Sequence, residues 1–167
     1  PWFETDVRGL IPGGLEWGSN YYHTVEPALI VERNGLKYRV TRKVYDHRKT
    51  AQFSYKVDFA HPGDWYLMVL EYPDDDERWI GVSCNAASRM TKPGQADGSS
   101  KCGPLVWTGG KYPNTGKMLE MKWIYRPDTG GHALNVMSLM KDTEAAAARL
   151  RIYRVKGRLP ELNAGGL

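Results

Sequence analysis

Plain apolar rings are scarce in this chain of 167 residues: 3 Phe stand beside 6 Trp and 10 Tyr. The aromatic content therefore lies in rings with a polar edge, which suit places where one side is buried and the other meets water or a ligand. Cysteine is scarcer still, at 2, which excludes a small disulfide-dense scaffold. No run of about 18 apolar residues occurs, so no segment reads as a membrane-spanning helix. No basic-then-apolar stretch at the start reads as a signal peptide. A dominant charge is lacking too. Lys plus Arg number 23 against 19 Asp plus Glu, a net +4 that admits an anionic partner without demanding one.

Catalytic signatures are absent in the same way. His23, His47, His61 and His132 are scattered, in none of the HxH, HExxH or Cys/His spacings of a metal site, and read as turn or surface residues. No GxSxG elbow precedes a helix. Gly110 to Lys117 imitates a phosphate loop, but five residues separate Gly110 from Gly116 and Met118 stands where Ser or Thr is needed. The stretch that follows reads as a strand, so no helix N-terminus is there to cradle a phosphate. Gly63-Asp64-Trp65-Tyr66 spells the GxWY of a lipocalin's first strand, with too much chain before it. The acidic run Asp74-Asp75-Asp76-Glu77 has the oxygens calcium accepts, yet one short run seldom supplies the six or so it needs, and a solvated hairpin tip is the expectation. No cofactor is expected.

Cys84 and Cys102 flank a stretch that includes Pro93, Gly94, Gly98, Ser99 and Ser100. They could close a disulfide worth about 3 kcal/mol in the loop-entropy view, which would place the chain in an oxidising compartment, or remain two thiols. Both readings stay open.

What the chain has in abundance is period-2 patterning. Ala51, Phe53, Tyr55, Val57 and Phe59 alternate with Gln52, Ser54, Lys56 and Asp58, as a half-buried antiparallel strand requires. Leu36, Tyr38 and Val40 alternate with Lys37, Arg39 and Thr41, and the polar stretch Asp46 to Lys49 between the two segments predicts a hairpin joining them. Trp65 to Tyr72 is almost continuously apolar, which predicts a strand covered on both faces. Further strands are predicted over 78–85, 104–108, 117–126, 133–140 and 150–155, with one helical turn over 143–148. Eight or nine short strands separated by turn signals predict an all-β antiparallel sandwich or a closed barrel.

Two basic stripes, Lys37, Arg39, Arg42 and Lys43 and then Arg149, Arg151, Arg154, Lys156 and Arg158, resemble those of single-strand binders. Acidic residues are interspersed, and no nucleic-acid motif accompanies them. A solvated sheet face is expected, with no nucleic-acid and no membrane partner; an anionic polysaccharide would be satisfied by the same stripes.

Several stretches together carry a family resemblance. The strand Phe53 to Phe59, then Trp65-Tyr66-Leu67, then Tyr72-Pro73-Asp74-Asp75 with Arg78, come in order. Thr108-Gly109-Gly110, Tyr112-Pro113 and Lys117-Met118 follow, and Arg151-Ile152-Tyr153 with Leu159-Pro160 closes the series. This order resembles galactose-binding-like jelly-roll domains, β-sandwich modules that sit beside catalytic domains in bacterial proteins processing polysaccharides. The resemblance implies an antiparallel jelly-roll sandwich over residues 36–160, with an irregular arm over 1–35 packed on it and a tail over 161–167, excised from a longer protein. It also implies a noncatalytic carbohydrate-binding or accessory role, extracellular or periplasmic, with polysaccharide and the parent chain's neighbouring domains as partners. Sugar rings offer apolar CH faces that stack on Trp and Tyr, and hydroxyls that need polar side chains nearby. On that ground Arg78, Trp79, Trp107, Tyr112 and Asn114 are the candidate sugar contacts. Trp65 and Trp123 fall on apolar faces and read as core, while Trp17, Tyr21 and Tyr22 could plug the sandwich. Two other readings remain. In a structural docking module the candidate rings would lie flat against apolar neighbours. In a jelly-roll lyase or hydrolase, Tyr, His and Arg would converge in one groove.

Overall fold

The computed structural model describes residues 3–6, 28–41, 43, 52–86, 101–138, 140 and 142–157. Every regular element among them is a strand. In chain order these are β1 (Phe3–Asp6), β2 (Leu29–Arg33), β3 (Leu36–Val40), β4 (Gln52–Asp58), β5 (Tyr66–Asp74), β6 (Arg78–Ala86), β7 (Lys101–Thr108), β8 (Lys117–Tyr125), β9 (Gly131–Ser138), β10 (Ala146–Ala147) and β11 (Arg149–Arg154). Two four-stranded sheets, β1-β11-β5-β8 and β4-β9-β6-β7, accompany a three-stranded sheet, β10-β3-β2, and every pairing is antiparallel.

The alternating pattern builds the core. Phe53, Tyr55 and Val57 of β4, Ile80 and Val82 of β6, and Leu134 and Val136 of β9 turn one face of their sheet inward. They pack with Tyr66, Met68, Leu70 and Tyr72 of β5 and with Leu150 and Ile152 of β11. Val69, on the other face of β5, is buried as well, so the continuous apolar run is a strand covered on both sides. A second, smaller cluster of Tyr38, Val40 and Ala146 stitches the three-stranded sheet together.

Several local expectations change. The strand Leu36–Val40 pairs with β2 and β10, not with β4, whose partner is β9. Period-2 patterning specifies which face of a strand is buried and says nothing about which strand lies beside it. The β2–β3 hairpin turns on Asn34 and Gly35, both at positive φ (53° and 76°), the geometry that two-residue hairpin loops favour. Two strands thus fall within residues 1–35, since β1 also pairs with β11. Residues 143–148 form no helical turn. Thr41 donates its N–H to the Ala145 carbonyl (2.9 Å) and accepts from Ala145 N–H on Oγ1 (2.8 Å), holding this stretch extended, and Ala145, Ala146 and Ala147 are small enough to be wholly buried there. His132 is a core residue, its ring edge-on to Phe59 and Tyr125 at 5.2 and 5.6 Å. The polar turn Asp46 to Lys49, Trp17, Tyr21, Tyr22, His23, His47, Arg42, Arg158 and the 161–167 tail lie outside the described residues.

In the β6–β7 ladder Cys84 stands opposite Lys101, and Cys102 opposite Ser83, just past a shift of register. Cys84 is buried in the core, and the Cys102 side chain lies outside the described residues.

Candidate functional site

The chain places two loops side by side at one end of the sandwich: the acidic turn 74–77 between β5 and β6, and the Gly-rich loop 109–116 between β7 and β8. Short side chains and backbone groups clamp them together. Asp74 accepts from the Thr115 N–H (2.8 Å) on one carboxylate oxygen and from Asn114 Nδ2 (3.0 Å) on the other, and its carbonyl accepts from the Gly116 N–H (2.9 Å). Asn114 Nδ2 also reaches the Asp76 carbonyl (3.1 Å), and Thr108 Oγ1 donates to it at 2.7 Å. Gly109 and Gly110 follow one another at φ 68° and 62°, a left-handed pair that turns the chain over Glu77. A Cβ on Gly110 would fall 3.1 Å from the Trp107 ring and 2.7 Å from Glu77 Oε1, so this backbone lies directly against the indole.

The acidic run is therefore consumed largely by structure. Burial alone would raise the Asp74 carboxyl, but the hydrogen bonds from Thr115 and Asn114, with the charge of Arg78, outweigh it and hold the group below its ordinary range. Because the folded value is depressed, the clamp contributes fully above the ordinary carboxylate range and loses its contribution as pH falls through the lowered value. Asp74→Asn is expected to flatten the acid limb of stability. Urea midpoints measured from about pH 5 down to about pH 2 check this, and an unchanged slope would sink it.

On this clamp stands a row of rings. Trp79 of β6 and Trp107 of β7 sit directly opposite in register, on the face of the sheet away from Ile80 and Val82. Their rings meet edge to face at 5.3 Å and 63°, and Trp107 meets Tyr112 of the Gly-rich loop at 6.1 Å and 86°. Exposure rises along the row. Trp79 is half-buried, Trp107 is 37% exposed and Tyr112 is 63% exposed. Leu105, next outward on β7, is exposed on the same side. Asn114, Lys111 and Glu77 are exposed polar neighbours on the same two loops. The arrangement offers an apolar platform with polar groups at its rim, on a loop whose backbone is tied down at several points.

Of the five residues expected to touch sugar, four thus come together and one does not. Arg78 is 0% exposed. Its guanidinium is spent on Asp75 Oδ1 at 2.5 Å and on the Tyr38 hydroxyl at 3.3 Å, with Glu144 Oε2 at 3.8 Å. Tyr38 in turn donates to Asp75 at 2.6 Å, and Arg33 forks onto both oxygens of Glu144 at 2.6 and 3.3 Å. Burial, then the bond to Asp75, pushes the Tyr38 phenol up to about 12 and keeps it a neutral donor. Two cations and two carboxylates close a neutral network that ties the three-stranded sheet to the β5–β6 turn. Arg78 is thus a cornerstone under the site, not a contact in it.

Trp123 packs against the core as expected, but Trp65 does not: it is 40% exposed at the opposite end of β5. It opens the apolar run but stands one residue before β5, which starts at Tyr66. The C-terminal basic stripe is partly neutralised where it lies on the sheet, with Arg151 paired to Glu71 at 3.2 Å and to Glu120. Among the described residues no group of three or more His, Cys, Asp and Glu could hold a metal ion, and no helix is long and apolar enough to cross a membrane.

The sequence matches no protein-family model and no curated protein. Its fold does match solved structures. The CBM36-1 domain of a multidomain xylanase from the hindgut metagenome of Trinervitermes trinervoides superposes with a TM-score of 0.52 at 14% identity, over 93% of this chain and 100% of that one. The CBM22-1 xylan-binding domain from Paenibacillus barcinonensis Xyn10C does so with a TM-score of 0.51 at 10% identity, over 93% and 95%. All-antiparallel pairing and one core shared between facing sheets agree with that likeness, and the chain has the jelly-roll β-sandwich fold of these carbohydrate-binding modules.

Proposed function

We propose that this chain is a noncatalytic carbohydrate-binding module that holds polysaccharide on the Trp79–Trp107–Tyr112 row, as an accessory to a catalytic domain of a secreted protein. The observation that carries the reading is the stepwise exposure of the row. A docking or packing role would lay these rings flat against apolar neighbours, whereas Trp107 and Tyr112 offer 37% and 63% of their surface to solvent. A sugar's CH face would lie on the Trp107 or the Tyr112 ring, which stand at 86° to one another, with Trp79 buttressing from behind, and Asn114, Lys111 and Glu77 would meet its hydroxyls. The fold likeness to modules from xylan-degrading systems supports xylan as the first polymer to try.

Native gel electrophoresis with soluble xylan, mannan or β-glucan cast into the gel tests the reading. Retardation by at least one of them is expected; migration unchanged in all three would overturn it. The polymer's β-linked backbone stays intact under this proposal, so no reducing ends should accumulate in solution.

A further inference from the structure

The other end of β5 carries an aromatic that the platform does not use. Trp65 is 40% exposed, although its backbone is fixed, with its carbonyl accepting from the Val155 N–H at 2.8 Å. The preceding loop is equally tied. Gly63 N–H donates to the Pro127 carbonyl at 2.8 Å, and Arg126 Nε donates to the Gly63 carbonyl at 2.7 Å. That bond brings the Arg126 guanidinium to 5.6 Å from the Trp65 ring centroid. Beside the ring opens a groove of about 350 Å³ lined by Gly63, Asp64, Trp65, Arg154, Lys156 and Gly157. That volume is at the lower end of small-ligand sites, which run from about 300 Å³ upward.

Cations rim this groove: Arg154 and Lys156 line it and Arg126 stands over the Trp65 ring, while among the described residues that line it the carboxylate is Asp64, 3.7 Å from Arg154 Nη1; Lys156 is exposed. An exposed indole whose backbone is held on both sides, next to a cationic rim, suits a ligand that is apolar on one face and anionic at one edge. A simple inorganic anion would have no use for the indole, and a neutral sugar none for the cationic rim.

We propose that the Trp65 groove is a second subsite, for an acidic sugar residue. Its CH face lies against the indole, and its carboxylate or sulfate sits among Lys156, Arg154 and Arg126. The inference rests on the sugar-binding reading of this chain only for the class of ligand. The groove and the loops that carry the platform lie at opposite ends of the nine-residue strand β5, which spans about 30 Å, so each can be removed without touching the other.

Isothermal titration of the full chain tests it, with three probes: an oligogalacturonate, its methyl ester, and a sulfated neutral oligosaccharide of equal length. The wild type is expected to bind at least one anionic probe, and the tighter of the two identifies the anion. The ester should bind about tenfold more weakly than the free acid if the carboxylate is the group read. Trp65→Ala and Lys156→Glu should each lower affinity for the anionic probe about tenfold, with xylan retardation unchanged. Lys156 is exposed, so its variant remains informative even if Trp65→Ala unfolds. Absence of binding to both anionic probes, or unchanged affinity in both variants, overturns the subsite. Xylan, mannan and β-glucan binding lost with anionic binding still sensitive to Trp65 would overturn the platform reading alone.

Discussion

Arg78→Ala is expected to destabilise the protein by about 3–5 kcal/mol, a large part of the total stability of a domain this size. The guanidinium is buried with both of its carboxylate partners largely out of water, the Asp75 side chain at 3% and Glu144 at 11% exposure. Removing the cation leaves Asp75 desolvated against the Tyr38 hydroxyl alone, and leaves Glu144 to Arg33. The larger part of the loss is the cost of an uncompensated buried charge, not the attraction forfeited. A paired replacement, Arg78→Met with Asp75→Leu, is therefore expected to recover much of the loss, because neither charge is then stranded. Urea denaturation of the three proteins decides the matter. A single variant within about 1 kcal/mol of wild type would show that water reaches the network and screens it.

Trp107→Ala is expected to weaken polysaccharide binding by about 30-fold or more, the loss of about 2 kcal/mol that a central aromatic anchor carries. Trp107 is the middle of the row, in ring contact with both Trp79 and Tyr112, so its removal breaks the platform in two. Tyr112→Ala should cost less, since the ring is terminal and the more exposed of the pair. Trp107 is a partly exposed group near the end of β7 and Tyr112 an exposed one on the loop held by the Asp74, Thr115 and Asn114 bonds, so thermal midpoints should stay close to wild type. Affinity electrophoresis on the polymer that retards the wild type provides the measurement. Retention of full affinity by Trp107→Ala would remove the platform from the proposal even if the chain binds sugar elsewhere.

The exposure of Trp107, Tyr112 and Asn114 was legible in outline. Trp79, Trp107, Tyr112 and Asn114 stand out because they fall at strand ends and in a Gly-rich loop, where a large ring has little to pack against. Arg78 belonged to the same stretch and was misread, because a charged residue beside an exposed loop looks solvated. Its closest partner, Asp75, is local, but Tyr38 on β3 and Glu144 before β10 complete the buried network, and no local pattern announces contacts that remote in sequence. Trp65 failed in the opposite sense: an apolar run predicts burial for its whole length, yet its first residue lies beyond the strand. One missed element did leave a local signal, the Asn34-Gly35 pair between two apolar stretches, which marks a two-residue hairpin and places β2 within the stretch read as an irregular arm.

By itself the amino-acid order determined the all-β class, most of the longer strands and the inward face of β4, since these follow from side-chain patterning within a few residues. Only the tertiary structure decided which strands are neighbours, where the 74–77 and 109–116 loops meet, and which rings stay in water. Those outcomes depend on contacts between segments tens of residues apart, whose energies are set by geometry that period-2 patterning does not encode.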